Sequence, residues 1–529
     1  MADYNIIGTA QGRYQQCESL RENFLTRARD SAKLTLPTLI PPSGATGTSK
    51  YSTPYQGVGA RGVNNLASKL LLSLLPANEP FFRLKMDDFV IKDLEQQGDE
   101  DLKTSIEEGL SQIERAIMTD IETHGDRIAI FEALKHLIIA GNVLLNVEEE
   151  GIRVFPLSRY VIKRDPSGTV LEIITKESIA PNVLPEEIQQ QVKDQMQGDE
   201  KTCDLFTHVC RRVKDKFEIY QEVKGIEIPK SRGSYPIEKS PFIPLRFNRV
   251  DSEDYGRGYV EEYYGDLRSL ENLTMAIIQG SAAAAKVLFL VAPNGTTRAR
   301  KLGESPNGAI IEGNAADVTT LQLNKFADFN IAYQTMGRIE GRLQHAFLMN
   351  ASIQRDAERV TSTEIKFMAQ DLEKAIGGIY SILSQEFQLP FITRKMAMME
   401  KNKKLPRLPK SGVRPSIITG LEALGRGNDK TKLIEFLTTL NETLGTEAIT
   451  KYINVPDAIS RLATSEGIDP KGLVRSEAEL AAEAEQQAMD MQQQQLQDAS
   501  VQAGTKIVGN IPPTTIGGAL EQLQQQQQG

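Results

Sequence analysis

The residues whose types and spacing could do chemistry are few. "GVGARG" places Gly57, Gly59 and Gly62 at the G-x-G-x-x-G spacing that lets a backbone approach a pyrophosphate at a helix N-terminus. That use requires a buried strand just before the glycines, and "TSKYSTPYQ" does not read as one. The glycines are therefore assigned to a turn and to close helix packing. Cys203, His208 and Cys210 suggest zinc, but successive side chains on a strand alternate faces. Cys203 then points away from the other two, no fourth ligand is near in sequence, and no metal is expected. His124, His136 and His345 have no Ser, Cys or carboxylate context of a catalytic kind. No Walker loop, H-E-x-x-H or nucleophile elbow occurs, so neither catalysis nor a cofactor is expected. The basic run from Arg394 and Lys395 to Lys410 reads as a solvated face near helix C-termini. Arg355 and Arg359, in "QRDAERV", link two long helical patterns and read from spacing alone either as surface charges or as functional cations.

The elements around that connector have clearer signatures. Thr361 and Glu364 have capping-box spacing, the hydroxyl accepting at N3 while the carboxylate reaches back to the N-cap amide. Ile365, Met368, Leu372, Ile376, Ile379, Leu383 and Phe387 continue one apolar stripe, and Pro390 reads as its stop. Such a helix would span about 43 Å, the length of a strut or wall. A second pattern over 259–285 keeps Val260, Tyr263, Leu267, Leu270, Leu273 and Ile277 on one side. A third carries Phe326, Phe329, Tyr333, Met336, Ile339, Leu343 and Phe347. These two bracket short β-type runs over 287–325. Upstream, 62–76 and 126–145 read as core helices, and β runs begin near 146. The expected fold class is α+β, predominantly helical. From Ser476 the chain turns to Ala, Glu and Gln, and its last thirty or so residues have too few apolar groups to fold alone.

Composition sets outer bounds. With 529 residues the chain is long enough for several domains, and its net charge of −9 argues against a protein that coats nucleic acid. The opening residues have no basic n-region or apolar h-region, and "LLLSLL" is too short to span a bilayer. A cytosolic, non-membrane protein is expected, and three cysteines fit a reducing compartment.

Five stretches carry a resemblance to a known family: "ARGVNNLASKLLLSLLP", "FEALKHLIIAGNVLL", "DYGRGYVEEYYGDLRSLENL", "ERVTSTEIKFMAQDLEKAIGGIYSILSQEFQLP" and "TGLEALGRGNDK". In these the chain resembles the portal, or head-to-tail connector, proteins of short-tailed podoviruses of the autographivirus kind. The resemblance implies a portal fold of wing, stem, clip and crown in a homo-oligomeric ring of twelve at one capsid vertex. Residues 1–258 would form the N-terminal wing region, 259–286 and 326–349 the stem helices, and 287–325 the clip. Residues 350–362 would be the tunnel loop, 363–475 the long wing helix and following helices, and 476–529 the crown helix and Gln-rich tail. Arg355 and Arg359 would then line the channel, with Arg338 and Arg342 on the preceding stem helix as further candidates. Implied partners are double-stranded DNA, terminase, tail adaptor and tail tube proteins, major capsid protein, scaffolding protein and internal core proteins, met in the host cytoplasm during assembly and then in the virion. The alternatives are a nucleotide-dependent enzyme using "GVGARG" and a non-portal helical scaffold.

Overall fold

The computed structural model describes residues 8–45, 47–76, 81–85, 100–196, 201–213, 215–284, 288–321, 326–349, 370–405 apart from 371 and 377, 416–419, 428–445 and scattered positions between 453 and 462. The chain divides into two compact units, Met1–Gly425 and Arg426–Gly529. Of the second, the longest described element is one helix, Asn428–Leu444, which exposes Ile434, Phe436 and Leu444.

The first unit is built around α4 (Asp126–Ala140), whose last turn, Leu137 to Ala140, is buried throughout. A helix apolar on most sides must be covered on most sides. Here α1 (Ala10–Lys33), α2 (Val58–Leu74), α3 (Glu100–Thr123) and a three-stranded sheet pack around it. That sheet has the antiparallel order β10-β2-β3, from Phe242–Arg246, Asn142–Glu148 and Gly151–Pro156. The expected helix over 126–145 is thus shorter. It ends at Ala140, and Asn142 to Val147 form a strand buried at every residue, which shows no alternation to mark it. Asn142 fixes the corner: its side-chain amide donates to the Gly256 carbonyl at 2.7 Å, and its Oδ1 accepts from the Gly256 N–H at 2.7 Å.

A second antiparallel sheet runs β4-β5-β6-β7-β8, from Tyr160–Arg164, Val170–Ile179, Cys203–Val213, Lys216–Val223 and Ile226–Glu227, with β9 (Gly233–Pro236) also on β7. The ribbon β1 (Phe82–Lys85) pairs with β13 (Ser416–Thr419). Helix plus sheet is the class expected from sequence. No group of three or more metal-ligating side chains occurs among the described residues, and none of their helices is long and apolar enough to cross a membrane.

The wing-helix stripe departs from expectation. Leu372, Ile376, Ile379, Leu383 and Phe387 are all buried, but the helix does not run unbroken to Pro390. Gly378 has φ +87, a left-handed conformation that ends one helix and precedes the next, α10 (Ile379–Leu383). The Glu373 carboxylate holds the break closed, accepting from the Ser381 N–H at 3.1 Å and the Ser381 hydroxyl at 2.7 Å. Beyond a π turn, Ser384–Gln388, the chain continues into α11 (Leu389–Lys401). Pro390 sits in the first turn of α11, directly after the π turn, and does not end the helical run. The basic run is solvated at Lys401, Lys403 and Lys404, as expected, but not at its start. Lys395 is fully buried between Asp126 at 2.7 Å and Asp120 at 2.9 Å, and Arg394 donates to the carbonyls of Val147 and Lys239.

Helix α1 docks on the second sheet through buried charge. Tyr14, Ala10 and Cys17 pack on Val161, Ile174, Phe206 and Tyr220. Glu222 accepts from the Ala10 and Gln11 N–H groups, capping the helix from a distant strand. Glu172 is 2.5 Å from Arg13 Nη2 and 2.8 Å from His208 Nε2, while His208 Nδ1 lies 2.8 Å from the Tyr220 hydroxyl. Sequence placed His208 and Cys210 on one face, and the structure occupies His208 with this network. Burial raises the Glu172 carboxyl, but hydrogen bonds from His208 and Arg13 outweigh it and hold the group down at about 2. A depressed carboxylate contributes stability above its unfolded value and loses it as pH falls through the folded one. The chain should therefore lose stability between about pH 4.5 and pH 2. In Glu172→Gln this acid-range slope should shrink, as read by denaturant midpoints at each pH, and an unchanged slope would deny Glu172 that role.

Candidate nucleic-acid interface on the helical hairpin

Beyond Gly258 the chain leaves the core as a hairpin. A short helix α6 (Tyr259–Glu262) leads into α7 (Tyr264–Ala284), and α9 (Phe326–Ala346) returns beside it. The expected single helix from Tyr259 is stepped at Tyr263. At the base Phe347 is fully buried, edge-on to Tyr259 with ring centroids 5.7 Å apart, and 5.9 Å from Tyr263. The Tyr259 hydroxyl donates to the Ala346 carbonyl at 2.8 Å. Helix α2 supplies the other wall. A Cβ on Gly62 would fall 2.6 Å from the Phe347 ring, and one on Gly59 would fall 2.4 Å from the Leu34 carbonyl oxygen. Asn65 donates to the carbonyls of Phe347 and Leu348 at 2.9 and 3.1 Å, and Lys69 to Leu348 at 2.7 Å. These side chains satisfy acceptors that the end of α9 leaves open, and the Lys69 cation suits a helix C-terminus.

Gly59 and Gly62 of "GVGARG" are thus packing glycines, as their sequence context implied, while Gly57 has open space around it. The amides near them are spoken for. Gln56 Oε1 accepts from the Gly59 N–H at 2.8 Å, and the Glu271 carboxylate of α7 accepts from Tyr55 and Gln56 at 3.0 and 3.1 Å. An acidic side chain already stands beside the loop, which disfavours a second anion there.

Along the hairpin the cover thins. Leu267 and Leu270 of α7 and Ile339 and Leu343 of α9 are buried near the base. Farther out Gly280 admits the Phe329 ring, whose edge lies 2.5 Å from where a Cβ would stand. Ile278, Ile331 and Tyr333 are nevertheless exposed, the last two at 65%. At the tip β11 (Leu288–Val291) pairs with β12 (Val318–Leu321), flanking α8 (Ala299–Glu304). Phe289 and Leu290, neighbours on one strand, are both exposed. Asp317 ties the turn, accepting from the backbone N–H groups of Thr296 and Thr297. The Thr297 bond leads in holding its carboxyl below the ordinary range.

Arg338 and Arg342, one helical turn apart, occupy the same exposed face of α9. Arg342 Nη2 pairs with Asp266 at 2.7 Å, while Arg338 has no ion-pair partner among the described residues. Arg355, Arg359, Thr361 and Glu364 lie outside the described residues. Sequence reading missed Asn65 and Lys69, although polar residues flanking the buried α2 stripe were the available signal.

A helix-plus-sheet body that projects an anchored, partly bare helical hairpin is the setting for comparison with known proteins. Residues 8–474 match the family model described as bacteriophage head to tail connecting protein, and the chain belongs to that family. It is a portal-type connector. Its relatives include the portal protein of Escherichia phage T7, 42% identical with 91% of each chain covered. The portal protein of Enterobacteria phage T3 is 41% identical over 93% of this chain and 92% of its own. That of Enterobacteria phage SP6 is 33% identical over 80% and 81%. Among solved structures, the neck of an empty GTA particle is similar at TM-score 0.34 and 11% identity, covering 74% of this chain and 87% of that one, a likeness too slight to bear on the fold.

The base of the hairpin has no slack for a side chain on α2. Gly62→Ala should destabilise the chain by about 1–3 kcal/mol, because Phe347 must leave its place. Gly47→Ala, with open space around it, should stay within about 0.5 kcal/mol. Denaturant midpoints compare the two, and equal midpoints would contradict the tight base.

Proposed function

We propose that the chain is the portal of a phage capsid, twelve copies closing into a ring at one vertex through which double-stranded DNA enters during packaging and leaves at ejection. The observation that carries this reading is the hairpin. It is fastened at its base by Phe347, Tyr259 and Tyr263, and farther out it leaves Ile278, Ile331 and Tyr333 uncovered. Neighbouring copies standing side by side would bury those residues, at roughly 25 cal/mol for each Å² of apolar surface removed from water. In this reading α7 and α9 are the stem. The β11–β12 ribbon is the clip, and its exposed Phe289 and Leu290 suit docking of terminase and later of tail proteins. The body forms the wing, which meets capsid and scaffolding proteins, and residues 476–529 form the crown toward internal core proteins. The ring works as a passage and clamp, with the packaging motor supplied by a partner.

A passage for DNA must attract phosphate without gripping it. The acidic chain, with net charge −9, meets that need through a few cations placed on the bore. Arg355 and Arg359 in the tunnel loop are the first of these. Arg338, on an exposed helix face and without an ion-pair partner among the described residues, is a better stem candidate than Arg342, whose charge Asp266 offsets. Ring symmetry repeats each cation around the duplex. Contacts of this kind are blind to sequence and weaken with salt, about 0.9 counterion being released for each phosphate neutralised.

Packaged DNA per particle tests the reading directly, using particles assembled with wild-type chain or with Arg355→Ala and Arg359→Ala together. The double variant should assemble normally yet package or retain less DNA, most visibly at high salt. Equal filling and equal retention across salt would remove these arginines from the channel.

A further inference from the structure

The second sheet uses both of its faces. Helix α1 covers one, packing on Val161, Ile174, Phe206 and Tyr220. Side chains alternate along a strand, so the residues next to these point to the other face. On that face Thr175 of β5 stands opposite Thr207 of β6, and Thr207 opposite Gln221 of β7. Two hydroxyls and an amide thus form one row across three strands, about 10 Å long at the usual strand spacing. The three-stranded sheet carries a row of its own, with Asn146 of β2 between Phe242 of β10 and Arg153 of β3. Both rows line one cavity of about 230 Å³.

The charged groups around this cavity already have partners. Arg153 pairs with Glu177, and Arg394 donates to the carbonyls of Val147 and Lys239. The Asn146 side-chain nitrogen donates to the Glu148 carboxylate, which fixes the orientation of its amide. What is left over is neutral and deep. Thr175 is 1% exposed and Asn146 5%, yet neither the Thr175 hydroxyl nor Asn146 Oδ1 has a hydrogen-bond partner among the described residues. The Thr207 hydroxyl accepts from Gln221 Nε2 at 3.3 Å, a bond that does not use its own proton. Buried polar groups without partners cost stability, and two of them in one cavity mark a place built for something that both donates and accepts. The buried rings of Phe155 and Phe242 supply apolar wall beside them.

We infer that this cavity between the two sheets is a binding site for a small neutral polyhydroxyl compound of the sugar or sugar-alcohol class. The unfilled positions are neutral donors and acceptors, which do not suit an ion. A hydroxyl donates, as Asn146 Oδ1 requires, and also accepts, as the threonine protons require. Several hydroxyls on one carbon frame reach both rows at once, while the C–H face of that frame rests on Phe155 or Phe242. Separate waters would meet the same atoms one by one, each immobilised at its own entropic cost. The cavity falls below the range of about 300–1,000 Å³ that holds drug-sized ligands, and suits a compound no larger than a monosaccharide. Neither the ring nor the channel enters this assignment.

Saturation-transfer difference NMR on the purified full-length protein tests it, with glycerol, sorbitol, D-glucose and D-mannose offered in turn and acetamide as an amide probe. At least one of the four polyhydroxyl probes should give a signal that saturates with concentration. Its affinity should fall about fivefold in Thr175→Val, the loss of one hydrogen bond. That substitution removes a hydroxyl with nothing to bond, so the thermal midpoint should stay at the wild-type value. Gln221→Ala, at the less buried end of the row, should weaken the same probe and serves if Thr175→Val does not fold. Arg232→Ala, which removes a cation paired with Glu227 away from the cavity, should bind as wild type does. A saturable signal from none of the four, affinity unchanged in the folded row variants, or saturable binding of acetamide alone would each overturn the assignment.

Discussion

No side chain can stand where Gly62 of α2 meets Phe347, and the rest of the projecting architecture depends on that contact. The Phe347 ring fills the space a Cβ would need, and Tyr259 at the start of α6 and Tyr263 at the step before α7 also pack against it. Both legs of the hairpin are thereby fixed at one buried point, 84 residues of chain apart from Tyr263 to Phe347. Asn65 and Lys69, about one and two turns along the same helix from that point, hold the carbonyls at the end of α9. A hairpin gripped this firmly at its root can project outward with its far apolar residues bare.

Buried charge fastens the body behind the hairpin. Lys395 pins α11 to the Asp120 and Asp126 carboxylates of α3 and α4, and Glu172 pins α1 to the second sheet through Arg13 and His208. Such pairs contribute little net stability against a well-packed apolar alternative, but losing one partner leaves an uncompensated charge inside. They make the arrangement of helices on sheets specific. The Asn142 amide does the same at the corner where α4 gives way to β2, tying it to Gly256 just before the hairpin begins.

How much of this was legible in the sequence follows from what periodicity encodes. The α+β class and the family resemblance could be read directly, and the glycines of "GVGARG" were assigned to packing because no strand precedes them. What covers an apolar face is not encoded in its period. Leu343 and Ile331 lie on one helix, both apolar, yet one is buried at the base and the other bare. Pro390 read as a stop because proline breaks helices, but in a first turn it breaks nothing, and the real interruption is Gly378. Lys395 looked solvated because its two aspartates lie some 270 residues upstream, a distance no local pattern spans. Of the candidate channel residues, sequence spacing put Arg338 and Arg342 a turn apart, while the difference between them, the Asp266 pairing, comes from the opposite leg of the hairpin.

The central claim is that this chain closes into a ring by covering the bare flank of its hairpin with the next copy. The mass of the purified full-length assembly, taken by native mass spectrometry across protein concentration and salt, tests it most directly. The account requires one closed species of about twelve 58.6 kDa chains that persists on dilution. A stable monomer at micromolar concentration under all salt conditions would contradict it.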